Sequence, residues 1–215
     1  MESKQKQKVN AATCAIVCGA PINNLTWLKD ELKSYDCIIA ADSGYDHLVK
    51  TGITPQVLIG DLDSIVSDPT NTPVIKYPSK KDDTDFSICL GYCLKHRYMS
   101  VDVYGAWGNR AGHSLAAIFT MLQYFKLGMK IRILTESSCM FLVSEKCIIP
   151  RNNGYVSIFP LNDNASGVTL KGFEYTLNDY DLESCSPLGV SNRILNEFGE
   201  ISLKTGNLLV IIENE

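Results

Sequence analysis

QVLIGDLDS, residues 56–64, decides how this chain is built: a short apolar run stops at Gly60 and gives way to two acids one residue apart, Asp61 and Asp63. An apolar run ended by glycine and then carboxylates is the pattern of a buried strand whose carboxyl end opens onto a ligand. Working outward, the runs 13–18, 37–41, 101–105 and 130–134 have the same short β-branched texture. Amphipathic stretches at 24–33, 44–51, 84–97 and 112–127 separate them, so strands alternate with helices and the first half predicts a parallel sheet with helical crossovers. In the last helix Leu115, Ile118, Phe119, Leu122 and Phe125 read as one apolar stripe, with Gly128 as the terminating residue.

After residue 135 the texture changes to brief alternating runs such as CMFLVS, GYVSIFPLN and GVTLKGFEYTL, which is antiparallel β writing. The expected division is therefore residues 1–136 and 137–215. The last segment reads as a meander with strands near 192–198, 200–204 and 207–213 and a turn at Thr205-Gly206-Asn207.

The chain has 215 residues and a formal charge of -4, an ordinary globular composition with no basic footprint for nucleic acid. No apolar run reaches the ~18 residues of a membrane helix. TCAIVCG reads as a first buried strand after a polar tail at residues 1–8, in preference to a secretory signal. The eight cysteines form no Cys-x-x-Cys pair or zinc pattern. Cys89 and Cys93 share an apolar helix face with Phe86, Leu90 and Leu94 and read as core, which fits a reducing cytoplasm.

Asp42, Asp61, Asp63, Asp82 and Asp85 all fall at or just beyond the ends of apolar runs, where a parallel sheet presents them at one edge. Two unit charges ~4 Å apart at an effective dielectric near 20 repel by about 4 kcal/mol, so such a group separates, takes up protons or binds metal. Asp61 and Asp63 read either as metal or substrate contacts or as an Asx-turn with a helix cap. In Lys81-Asp82-Asp83-Thr84-Asp85, Asp83 or Thr84 is a natural N-cap, Asp82 fits a cap or a functional role equally, and Asp85 points toward the ligand edge. Gly105-Ala106-Trp107-Gly108-Asn109-Arg110 precedes a helix; its glycines let backbone approach a phosphate, and Arg110 offers a bidentate partner. Trp107 stacks on a heterocycle or caps the sheet, and His47, His96 and His113 read as unremarkable.

Together AADSG (40–44), GDLDS (60–64), KDDTD (81–85), GAWGNR (105–110) and GVSN (189–192) resemble the thiamine pyrophosphokinase family, in order and at similar spacings over nearly the whole chain. The resemblance implies a Rossmann-like α/β nucleotide-binding domain followed by an antiparallel β-sandwich, assembled as a homodimer. It implies transfer of pyrophosphate from ATP to the hydroxyl of thiamine, with release of AMP and a requirement for Mg2+. Asp61, Asp63 and Asp85 would then manage the metal and the attacked hydroxyl, with Asp85 as general base. Asp42, Lys81, Asp82, Thr84, Gly105, Gly108 and Arg110 would surround the nucleotide, and Ser191 and Asn192 the thiamine.

One departure stands out: in Arg110-Ala111-Gly112-His113, Gly112 takes the place where the family usually has an Asp. Two alternatives accompany the kinase reading: on the strength of Gly112, a thiamine- or nucleotide-binding relative with reduced or lost turnover, and, on the strength of Asp61-x-Asp63 after a strand, an Asp-x-Asp transferase acting on nucleotide sugars.

Overall fold

The computed structural model describes residues 13–78 and 83–214. The tail at residues 1–8, Lys81 and Asp82 lie outside the described residues.

Strands and helices alternate through the first half: β1 (Thr13–Val17), α1 (Leu25–Leu32), β2 (Cys37–Ala41), α2 (Gly44–Thr51), β3 (Val57–Gly60), β4 (Val74–Lys76), α3 (Asp85–Lys95), β5 (Ser100–Tyr104), α4 (Ala111–Phe125) and β6 (Lys130–Leu134). Side by side the strands run β4-β3-β2-β1-β5-β6, all parallel. Only β4 was not anticipated, because three residues on a largely exposed edge make no periodic signal. Strands β1 to β3 are buried almost throughout since helices cover both faces. Phe86, Leu90, Ile118 and Met121 of α3 and α4 pack on one face, and Leu28, Leu32, Tyr45 and Leu48 of α1 and α2 on the other. Cys89 and Cys93 sit in the first of these cores, and all eight cysteines are free thiols.

The stripe expected on α4 is narrower than its sequence implies. Ile118 and Leu122 are buried, but Leu115 and Phe119 are 56% and 49% exposed. Ser114, Ala117 and Met121 take the inward positions instead, so the smaller side chains meet the sheet and the two large ones, a helical turn apart, face outward.

The sheet does not stop at the end of the parallel part. At Thr135–Ser138 the chain turns, and β7 (Ser138–Val143) returns antiparallel on β6. Further strands are β8 (Lys146–Pro150), β9 (Tyr155–Pro160), β10 (Ala165–Lys171), β11 (Leu177–Leu182), β12 (Phe198–Ser202) and β13 (Leu208–Glu213). Of these β13 and β9 continue beyond β7 to complete a nine-stranded sheet, while β11-β10-β12-β8 form a separate four-stranded antiparallel sheet. The two sheets enclose a second core of Val156, Ile158, Leu170, Ile201, Leu208 and Val210, whereas Leu209, between two of these, faces the helical core. Period-2 alternation thus lets β13 serve both layers.

The expected final meander is corrected in two places. Residues 192–198 carry isolated bridges, Val156 with Asn192 and Phe173 with Ile194, in place of a strand. β12 and β13 belong to different sheets, so residues 205–207 carry the chain between layers and close no hairpin. Ile201 and Leu208 reach the same interior from opposite sides, which a hairpin would not allow.

Candidate active site

Strand order reverses between β1 and β5, so the helices that follow these two strands lie on opposite faces of the sheet and a crevice opens at its carboxyl edge. A cavity of ≈ 350 Å³ lies there. Its walls come from the exits of β1 (Cys18, Gly19, Ala20), β2 (Asp42, Ser43) and β3 (Asp61, Asp63, Ser64), from the start of α3 (Thr84, Asp85) and from Gly105, Gly108 and Arg110 before α4. Eight of the residues singled out in the sequence therefore meet in one place.

The acids are held by backbone geometry. The Asp42 N–H donates to the Ile59 carbonyl at 2.9 Å, which seats Asp42 over the end of β3. A Cβ on Gly60 would lie 3.0 Å from the Asp42 Cβ and 3.2 Å from its Oδ1, so the glycine makes room for this carboxylate. Asp61 Oδ1 accepts the Asp63 N–H at 3.1 Å, and Asp63 Oδ1 accepts the Ser64 hydroxyl at 2.9 Å. The Asx-turn and the acid cluster are thus one feature, because the turn puts both carboxylates on one side. One oxygen each from Asp42, Asp61 and Asp63 lies within 4.8 Å of the others. Asp85 lines the same cavity outside that trio.

Electrostatics point the same way. Burial, reinforced by the charges of Asp85 and Asp61, raises the Asp42 pKa against the N–H bonds of Ser43 and Leu62. The unfolded chain ionises this carboxyl first, so its contribution to stability is lost as pH rises from the ordinary carboxylate range through the raised folded value. Asp42 Oδ1 is buried without a hydrogen-bond partner. Three hard oxygen donors, one from a carboxylate that also holds an unpartnered buried oxygen, fit a small divalent cation such as Mg2+.

The opposite wall is a pair of backbone loops zipped together. The Cys18 N–H donates to the Tyr104 carbonyl and the Ala20 N–H to the Gly105 carbonyl, each at 2.8 Å. Gly105 has φ 65°, and Gly108 leaves room for Ala20, whose Cβ would lie 2.9 Å from a side chain there. Ser114, a residue the sequence reading passed over, accepts the Gly108 N–H at 3.1 Å and donates to its carbonyl at 3.2 Å. Arg110 occupies the N-cap position of α4 without a side-chain cap bond, and its side chain is exposed. Burial and then Asp85 push the Cys18 thiol up to about 12, so it is a neutral wall.

Other residues have firmer structural roles. Thr84, not Asp83, is the N-cap of α3, accepting the Ser87 N–H at 3.1 Å. Asn192 is 6% exposed; its Oδ1 accepts N–H groups of Tyr175 and Arg193, and its Nδ2 donates to the Tyr175 carbonyl at 2.6 Å. Ser191 is exposed at φ 58°, with its N–H on Ser157 Oγ. Neither lines the cavity of this single chain. His47 bonds the Ala20 carbonyl and His96 stacks on Tyr92, both as read, while His113 lines the cavity.

Comparison with known proteins identifies what the chain is similar to. The family model described as thiamin pyrophosphokinase, catalytic domain matches residues 28–133, and that described as thiamin pyrophosphokinase, vitamin B1 binding domain matches residues 146–208. The chain is 30% identical over 208 residues to a thiamine pyrophosphokinase of Bacillus subtilis strain 168, covering 93% of this chain and 97% of that one. A crystal structure of thiamine pyrophosphokinase from Bacillus subtilis superposes with TM-score 0.84 at 28% identity, covering 94% and 99% of the two chains. Thiamin pyrophosphokinase from Candida albicans shares the fold, with TM-score 0.79 at 17% identity and coverage of 95% and 89%.

Proposed function

The chain belongs to the thiamine pyrophosphokinase family, and from that premise we propose that it transfers the terminal pyrophosphate of ATP to the hydroxyl of thiamine, giving thiamine diphosphate and AMP with Mg2+. The observation that carries this reading is the convergence of Asp42, Asp61 and Asp63 in the crevice at the carboxyl edge of the sheet. Membership in the family sets aside the nucleotide-sugar alternative.

Phosphoryl chemistry asks a protein mainly to position groups and neutralise charge. Bound Mg2+ supplies charge neutralisation along the polyphosphate. Asp42, Asp61 and Asp63 would hold it, with Asp42 in the place that the sequence reading gave to Asp85. Arg110 and the backbone of Gly105 to Gly108 face the phosphates, with Thr84 on the neighbouring segment. Asp85, at the first position of α3 and open to the cavity, accepts the proton of the thiamine hydroxyl, which then attacks in line at the β-phosphorus.

We assign nucleotide handling to residues 1–136 and thiamine binding to 137–215, a division supported by where the two family models fall. Ser191, exposed in the β layers, meets thiamine in a pocket completed by a second copy of the chain, while Asn192 fastens the loop beneath it. Exposed Leu115 and Phe119 on α4, next to cavity residues His113, Ser114 and Ala116, support an apolar homodimer face there. Eight free cysteines favour a cytoplasmic setting.

A coupled assay for AMP tests the reading. Release is expected only when ATP, thiamine and Mg2+ are all present; thiamine binding by calorimetry without AMP would establish the binding-only alternative.

Gly112 probes the departure from the family pattern. It lies exposed in the first turn of α4, and a Cβ there meets nothing within 4 Å. Gly112→Asp is therefore expected to fold normally, with an acid suited to a helix N-terminus, and to lower the Mg2+ needed for half-maximal rate by about 3- to 10-fold. An unchanged Mg2+ requirement would mean that the site has been rebuilt without this acid.

A further inference from the structure

Asp46 lies one helical turn after Asp42, in the first turn of α2. An acid there suits the helix dipole, which would be reason enough for its presence. Its hydrogen bonds, however, go elsewhere. Oδ2 accepts the Val66 N–H at 3.0 Å and Oδ1 the Ser67 N–H at 2.8 Å, both on the loop that leaves the Asp61–Asp63 turn. The adjacent Tyr45 hydroxyl reaches the Asp68 carbonyl and Thr72 at 3.4 Å, extending the same contact along the loop.

One end of α2 thus grips the acid-bearing segment at two points. Asp42 bonds Ile59 just before it, and Asp46 bonds Val66 and Ser67 just after it. Asp61 and Asp63 lie between these anchors. Burial alone would push the Asp46 carboxyl up, but the Ser67 hydroxyl, the two N–H bonds and Lys50 outweigh it and hold the group below the usual carboxylate range. The acceptor is therefore a full carboxylate at neutral pH, the stronger form of such a bond.

We propose that Asp46 is a positioning residue that sets Asp61 and Asp63 against Asp42, and so tunes the divalent-cation affinity of the site without touching the cation. This rests on the reading of the crevice as a metal–nucleotide centre. Residues that orient metal ligands change metal affinity by about 10- to 100-fold when removed. Asp46 is set apart from an ordinary helix-terminus acid by holding a different chain segment, the one that carries two of the three candidate ligands.

The test compares wild type, Asp46→Ala and Asp46→Asn by Mn2+ binding, read by electron paramagnetic resonance with a non-hydrolysable ATP analogue, together with the Mg2+ dependence of AMP formation. Asp46→Ala is expected to raise the Mn2+ Kd and the Mg2+ half-saturation about tenfold, with a smaller change in kcat at saturating Mg2+. Asp46→Asn keeps one oxygen for one of the two N–H groups and should fall between. Wild-type Mn2+ affinity in Asp46→Ala, even with a lowered Tm, overturns the proposal and leaves Asp46 a structural clasp. If the alanine variant does not fold, Asp46→Asn decides: an unchanged Kd overturns the proposal, and a raised Kd supports it. No Mn2+ binding by the wild type would instead reject the metal-centre reading itself, and this proposal with it.

Discussion

Asp61→Asn is expected to lower thiamine-dependent AMP formation by about 10²- to 10³-fold, the equivalent of several kcal/mol of lost charge stabilisation at the phosphates. The substitution isolates charge from shape. The amide oxygen of asparagine can still accept the Asp63 N–H that Asp61 Oδ1 accepts at 3.1 Å, so the turn carrying both residues is retained. What disappears is one negative charge of the trio and one of the two acids that raise the Asp42 pKa. The fold should therefore stay close to wild type in stability, because the turn keeps its hydrogen bond, while kcat falls and the Mg2+ requirement rises. Thermal melting and a Mg2+ titration of the rate, measured on the same preparation, check both halves. Activity within about twofold of wild type would reduce the Asp61–Asp63 pair to a loop device, since removal of a ligand charge cannot be neutral in metal-assisted transfer.

The sequence shows the strands and where they end, and much less of what lies opposite them. QVLIGDLDS announces a buried strand with acids at its exit because burial on both faces and the break at Gly60 are local properties. That Asp42 shares this edge with Asp61 and Asp63 is legible as well, since each follows an apolar run; that their carboxylates come within 4.8 Å depends on β2 and β3 being neighbours, and order along the chain does not give strand order in space. The same holds for Asp46 and Ser114. Each bonds backbone N–H groups of a segment with no periodic relation to it, so Asp46 reads only as a helix-dipole acid and Ser114 as a small helix residue. The family resemblance drew attention to Asn192, but its side chain is occupied by Tyr175 and Arg193, a commitment visible only once the bridge to Val156 is formed. Helical periodicity also overcounted on α4: Leu115 and Phe119 satisfy the spacing of a core stripe while standing outside it. In the β layers, alternation identified β12 and β13 as strands without telling that they serve different sheets.

Gly105→Ala should be strongly damaging for the addition of a single methyl group at the wall of the site. An L-residue forced to φ near 65° costs roughly 1–2 kcal/mol by itself. The new Cβ would also overlap the carbonyl oxygen of Cys18 and sit 3.1 Å from its carbonyl carbon and 3.2 Å from the Ala20 carbonyl oxygen. All three are backbone atoms of the β1 exit, and none can turn aside as a side chain would. Relief requires the exits of β1 and β5 to separate, which breaks the bonds from Cys18 to Tyr104 and from Ala20 to Gly105 and displaces both walls of the cavity. A loss of about 3 kcal/mol or more in stability is expected, together with loss of ATP binding by calorimetry. Gly112→Ala is the internal control. Seven residues along, in the helix and with no atom within 4 Å of the added carbon, the same methyl should leave stability unchanged or raise it by roughly 0.5–1 kcal/mol through helix propensity. Opposite signs for the two alanines would identify close backbone approach as the reason for glycine at 105. Equal and small effects would mean that the β1 and β5 exits are not held together as tightly as their hydrogen bonds imply.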